Sequence, residues 1–346
     1  MLWFSIATIS PVLFLAMAGT VGGLWCAVAL IYLTGFTYFM DRIVHGTVAR
    51  RAASGEFPVG EELAIFLGLS HLVLLCIALY ALAGPSGLSW TERVACFFAF
   101  GLFFGQVSNA NAHELIHKQA KWPRRLGKAV YISLLFGHHA SAHPKVHHVW
   151  VATPMDPNSP AKGQNFYQFW MRAWVGSFCK GWMAETRLRA RKTTPPHFWS
   201  HPYVTYIAGG LCVAYLTHAV MGLGGLVALV LLTGYAQMQL LISDYVQHYG
   251  LARERGADGR FGPVSAQHSW NAPQFFSSAL MLNAPRHSDH HMHPLKTYPS
   301  LDLDPTEMPT LPRSLPVMGL LALWPQKWRA VMDPKLAALR QSHTIP

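Results

Sequence analysis

Charge is scarce in this 346-residue chain: 12% of its residues are Asp, Glu, Lys or Arg, about half the share of an average soluble domain. Acids are the scarcer sign, 16 against 27 Lys and Arg. No Cys-x-x-Cys pair occurs among Cys26, Cys76, Cys96, Cys179 and Cys212, and four of the five sit in apolar runs. That pattern excludes a disulfide framework and a thiolate metal site. Internal repeats and low-complexity tracts are also missing. With 51% hydrophobic residues, the chain is neither disordered nor a wrapper of nucleic acid, and a water-soluble fold does not suit it.

Long apolar runs take the place of charge. A hydrocarbon core of about 30 Å needs about 20 mostly apolar residues as helix. Such runs cover Leu2–Ala18, Val21–Phe39, Leu63–Leu82, Val94–Ala112, Tyr203–Met221 and Leu226–Ile242. Tight turns near Gly19 and Gly222 join the first and last pairs. The opening run lacks the basic start and cleavage site of a secretory signal. The fold expected is all-α and polytopic, with about six transmembrane helices, or four with two hairpins that enter without crossing.

Charge then sets sidedness. Three hairpin turns, around Gly19, Pro85–Trp90 and Gly222, share one side and hold only Arg93 and Glu92. The remaining 26 basic and 15 acidic residues, net +11, share the other side, which the positive-inside tendency makes cytoplasmic. The organisation read from this pattern is transmembrane helices in 1–112, a cytoplasmic segment 113–202, two more spans in 203–243 and a cytoplasmic tail 244–346. A short polar loop, Asp41–Glu62, joins the second and third spans. Leu315–Trp324 is too short to cross and belongs at the interface. The basic face suits lipid headgroups or an acidic soluble partner.

Histidine is the surplus. Thirteen of nineteen fall in two windows, seven in His113–His148 and six in His248–His293. His113-Glu114-Leu115-Ile116-His117, His143-Pro144-Lys145-Val146-His147-His148 and His287-Ser288-Asp289-His290-His291 form three clusters, and His248 stands alone after the last span. Side chains at i and i+4 share a helix face and can converge on one ion. The His-x-x-His-His and His-x-x-x-His-His spacings do the same with a third ligand on the adjoining position. Nine candidate ligands, His113, His117, His143, His147, His148, His248, His287, His290 and His291, exceed what one first-row ion accepts and imply two. With no cysteine and few acids beside them, a nitrogen-rich di-iron cap fits best. His113-Glu114-x-x-His117 also satisfies the pattern of zinc proteases, but that reading leaves seven histidines without a role. His138, His139 and His293 read as neighbours of the clusters, His71 as a packing residue, and His268 with Trp270 and Asn271 as structural support.

These clusters resemble those of the membrane desaturase and hydroxylase superfamily, and more narrowly of the alkane 1-monooxygenase family. The matching stretches are Asn111-Ala112-His113-Glu114-Leu115-Ile116-His117-Lys118, Ala152-Thr153-Pro154, Asp156-Pro157, His248-Tyr249-Gly250-Leu251, His268-Ser269-Trp270-Asn271 and Arg286-His287-Ser288-Asp289-His290-His291. The resemblance implies six spans in a bacterial inner membrane and nine histidine ligands for two iron ions. It implies O2-dependent hydroxylation of an alkyl chain, with electrons from NADH through rubredoxin reductase and rubredoxin. Terminal hydroxylation of an n-alkane is the leading expectation. A fatty-acyl desaturase or hydroxylase and an alkyl-aromatic hydroxylase share the same metal centre. The second box departs from the family in placing Ala142 where Glu usually precedes its first His, and Val146 where Gly precedes the pair. Gln247 replaces Glu before the lone His, and Ala284-Pro285 replaces Leu-Gln before the last box. Glu114, Asp156, Asp244 and Asp289 remain to orient ligand N–H groups.

Overall fold

The computed structural model describes residues 1–44, 59–194 and 196–344. Most of the Asp41–Glu62 loop lies outside the described residues. No named strand occurs among them, only two isolated bridges. Five helices are long and apolar enough to cross a membrane: α1 (Leu2–Thr20), α2 (Leu24–Ile43), α3 (Gly60–Ala83), α4 (Trp90–His117) and α7 (Pro202–His248). Between α4 and α7 lie α5 (Lys121–Ser133) and α6 (Phe166–Ala190). After α7 come α8 (Phe275–Leu280), α9 (His287–Met292), α10 (Leu315–Ala322) and α11 (Pro325–Thr344). The chain is an integral membrane protein with an all-helical fold.

At 47 residues, α7 drawn straight would reach about 70 Å, twice the hydrocarbon core. It is broken at Gly222, whose φ of 65° and ψ of −161° lie outside the helical range and suit a residue without Cβ. A Cβ at Gly210 would sit 3.6 Å from Leu135 Cδ2, while Gln237 Nε2 donates to Leu134 O at 2.8 Å. In a straight helix residues 210 and 237 would be about 40 Å apart, so the two halves fold back on each other. The break falls where the composition placed the hairpin turn, and gives six apolar helical segments.

Within this bundle α4 is the most enclosed apolar helix, 61% buried over its apolar window against 28–33% for α1, α2 and α7. Its neighbours approach closely. A Cβ on Gly105 would fall 2.2 Å from Gln239 Nε2, and one on Gly101 2.3 Å from the Tyr235 ring. Absent side chains on α4 therefore set its distance from the second half of α7. His71 of α3, read as a packing residue, bonds Ser133 Oγ of α5 at 2.9 Å. A widened π-turn at Phe104–Ser108 interrupts α4 before its histidines.

The two charges on the hairpin-turn side are both spent on helix ends. Arg93 donates to Ala81 O, Leu82 O, Gly84 O and Leu88 O at 2.6–3.2 Å, closing the C-terminus of α3. Glu92 accepts from Gly23 N at 2.6 Å and Ser89 N at 2.7 Å, tying the first turn to the second. Backbone groups left bare there would face lipid or interface, so these contacts matter more than surface charge pairs do. Arg93→Met should lower stability by at least about 1.5–3 kcal/mol, the range for losing one hydrogen bond to a charged group. A drop in the thermal midpoint in detergent, with metal content per folded chain unchanged, is the expected result.

Candidate metal centre

The nine histidines of the three boxes and the lone His converge from four directions. His113 and His117 end α4, and His248 ends α7. His287, His290 and His291 ride on α9. The second box lies in a helical stretch, 139–150, whose middle, His143–His147, is a π-turn.

Two nests result. His113, His117, His143, His148 and His290 form one, and His147, His248, His287 and His291 the other, with donor atoms in each within 4.8 Å of one another. The nests do not coincide with the boxes. The second box sends His143 and His148 to the first nest and His147 to the second. The third sends His290 to the first and His287 with His291 to the second. The cause in the second box is the π-turn, which aligns i with i+5 in place of i+4. Pro144 at its start lacks an N–H and would clash within a regular helix, so it is the one sequence signal for the wide turn. The nests adjoin: the His148 and His291 rings are 4.6 Å apart by centroid.

The nitrogen geometry fits metal ions. His143 Nε2 lies 2.7 Å from His113 Nε2 and 2.9 Å from His148 Nε2. His148 Nε2 is also 3.1 Å from His290 Nε2, and His287 Nε2 is 3.1 Å from both His248 Nε2 and His291 Nε2. An imidazole nitrogen carries one proton or one lone pair, so His143, His148 and His287 cannot satisfy two such neighbours by hydrogen bonding. The buried Nε2 atoms of His117 and His147 have no hydrogen-bond partner. Lone pairs gathered this way call for a cation, and nitrogen donors without thiolate suit iron, zinc or copper. Burial and neighbouring imidazoles hold His143, His148, His287, His290 and His291 well below the ordinary histidine value, in the neutral form that ligates.

His147 differs. Burial opposes its charge, but the Asp156 carboxylate, 2.8 Å from Nδ1, outweighs it and raises the value. Asp156 is held in turn by Ser159 Oγ and Asn158 N, and Asn158 Nδ2 donates to Asp244 at 2.7 Å. Of the four carboxylates read as orienting groups, Asp156 is the one the structure brings to a nest histidine among the described residues. Glu114 pairs with Lys118 at 2.7 Å. Asp289 bonds His293, Lys296 and Asp302 N. His248 Nδ1 instead meets the carbonyl of His268 at 3.2 Å, a main-chain contact that no side-chain pattern announces. Asn271 anchors α9 through Ser288 N and Ser288 Oγ, and Trp270 Nε1 donates to Tyr249 O, in line with their reading as support. His138 bonds Ser177 and His139 stacks on Phe136 and His143, outside both nests. Two departures from the family meet: Gln247 Nε2 donates to Ala284 O at 3.1 Å.

A cavity of about 230 Å³ opens from the nests between α4, α7 and α10, with His113, His143 and His287 at one end and Leu102 and Tyr235 at the other. Leu102 stands eleven residues before His113, about 16 Å along a helix. Two amides in the wall are committed to helix backbone, Asn109 donating to Gly105 O and Ala236 O and Gln239 to Gly101 O, while Gln106 donates to Gln239 Oε1 and leaves its own Oε1 without a partner among the described residues. Leu320 lines the cavity while 57% exposed, so the space reaches the outer face of α10.

An all-helical membrane protein with nine nitrogen donors gathered beside the ends of its apolar helices is of the membrane desaturase and hydroxylase class. The chain belongs to the fatty acid desaturase family, whose profile, described as Fatty acid desaturase, matches residues 88–319, and within it to the alkane 1-monooxygenases. It is 36% identical over 253 residues to the alkane 1-monooxygenase of Pseudomonas putida, covering 73% of this chain and 62% of the relative. It is 30% identical over 323 residues to alkane 1-monooxygenase 2 of Pseudomonas aeruginosa, covering 91% and 84%. The xylene/toluene monooxygenase hydroxylase component XylM of Pseudomonas putida is 29% identical over 293 residues, covering 82% and 75%. The chain thus spans about three-fifths of the first of these relatives.

Asp156→Ala should weaken metal binding about 10–100-fold, the usual cost of removing a group that orients a ligand. Metal titration of the purified apoprotein would measure it; unchanged affinity would remove Asp156 from the site.

Proposed function

We propose that the chain is an O2-dependent hydroxylase of unactivated alkyl carbon, converting the terminal methyl of medium or long n-alkanes to primary alcohols. The observation that carries this reading is the contact between two nitrogen-only nests and the end of a long, mainly apolar cavity. His113, His117, His143, His148 and His290 would hold one iron, and His147, His248, His287 and His291 the other. A bound di-iron centre supplies the redox chemistry by which O2, two electrons and two protons convert R–H to R–OH and water.

The protein's own part is positioning. An alkane has no polar handle, so each buried methylene contributes about 0.8 kcal/mol of apolar burial, and the cavity's shape decides which carbon reaches His113, His143 and His287. Packing against α4, α7 and α10 excludes water from that end. Asp156 fixes the ring of His147, and the His268 carbonyl that of His248. The names of two relatives, alkane 1-monooxygenases, support the substrate class. That of XylM supports a second reading, hydroxylation at an alkyl-aromatic carbon. The zinc-protease reading fares worse, because Glu114 is bonded to Lys118 and so is engaged away from the nests.

The charge asymmetry supports an inner-membrane orientation with termini and nests cytoplasmic. On that face an acidic donor, rubredoxin, would deliver electrons drawn from NADH by rubredoxin reductase.

Detergent-purified protein should contain about two irons per chain, one for each nest. Supplied with O2 and an electron-donor system, it should yield primary alcohols from n-alkanes. His147→Ala should lose iron and product together. One zinc and no iron in protein purified without added zinc would overturn the proposal. Leu102→Trp, at the far end of the cavity, should shift the product profile toward shorter chains at unchanged iron content; an unshifted profile would separate this cavity from the substrate path.

A further inference from the structure

Helix α6 buries a single stripe, Phe166, Phe169, Ala173, Ser177, Gly181 and Glu185, at the three- and four-residue spacing of one helix face. The stripe narrows toward the second histidine box. A Cβ on Gly181 would fall 2.2 Å from Tyr203 Oη and 3.1 Å from Ala142 Cβ. Nothing larger than glycine fits there, and the small Ala142 opposite lets α6 lie close against the 139–150 stretch. One turn later comes Glu185, an acid only 5% exposed.

A carboxylate so enclosed needs donors, and Glu185 has two. Ser141 Oγ donates to its Oε1 at 2.5 Å, and Lys145 Nζ donates to the same oxygen. Ser141 Oγ also meets Tyr206 Oη at 2.8 Å, which ties the cluster to α7. Ser141 lies two residues before His143 and Lys145 two residues after it. The two donors therefore grip both ends of the segment that opens the wide turn. That turn decides that His143 and His148 enter one nest while His147 enters the other.

We propose that Glu185 is the positioning residue of the second histidine box. It brings from α6 a carboxylate to a box that has Ala142 in place of its usual Glu, and holds the backbone on either side of His143 in place of a ligand ring. The proposal rests on the reading of the nine histidines as metal ligands. Glu185 lies outside both nests and the cavity lining, and acts through Ser141 and Lys145. Removing it strands no buried charge, because the Lys145 side chain is 36% exposed and can turn to water.

The test is Fe(II) titration of apoprotein in detergent for the wild type, Glu185→Ala and Glu185→Gln, with helix content and particle size measured on the same samples. The wild type should bind about two irons, and Glu185→Ala should bind them about tenfold or more weakly at unchanged helix content. Glu185→Gln keeps an oxygen acceptor for both donors and should stay within about threefold of the wild type, a rescue that loss of general stability would not produce. Wild-type affinity in Glu185→Ala, or equal failure of both folded variants, overturns the proposal. If Glu185→Ala does not fold, Ser141→Ala and Lys145→Met each remove one donor. Each should then weaken binding by an intermediate factor, and wild-type affinity in both overturns the proposal. A wild type that binds no iron condemns the ligand reading instead.

Discussion

Nine imidazoles facing one another away from water are the constraint on which this molecule is built. Each buried nitrogen would be satisfied more readily by water, and three of them have two nitrogen neighbours that hydrogen bonds cannot both serve. Such an arrangement persists only where the backbone is held rigidly from outside. The supports described above do that work. Asp156 and the His268 carbonyl fix two rings, Asn271 fixes α9, and small residues on α4 and α6 let helices approach closely enough to leave little freedom.

The same economy of polar groups governs the opposite end of the bundle. Arg93 and Glu92 could have been ordinary interfacial charges. Instead each closes main-chain groups that a helix end exposes, and together they link the turn after α1, the end of α3 and the start of α4. A membrane protein with so little charge uses what it has where backbone groups lack partners.

Much of this was legible in the sequence. Apolar runs revealed the helices, and Gly222 with its neighbours the reversal in α7. Histidine spacing revealed which residues gather. Periodicity could not reveal how they divide, since one extra residue in a turn moves a side chain by about 100° around the axis. Pro144 was the visible mark of that insertion. The contact of His248 with a carbonyl and of Glu185 with Ser141, forty-four residues away, arise from tertiary packing and leave no local pattern. Three of the four candidate orienting carboxylates found other partners, because proximity in sequence to a ligand does not fix which way a helix turns its acid.

The interleaving of the boxes bears on how such a centre assembles. Two of the three segments that build the four-histidine nest also build the other: His147 shares a turn with His143 and His148, and His287 and His291 share one with His290, while His248 serves its nest alone. An ion seated in either nest would immobilise both shared segments, and so would lower the ordering entropy left for a second ion to meet. The two nests are thus coupled through the backbone they share, and a change that loosens either segment reaches both.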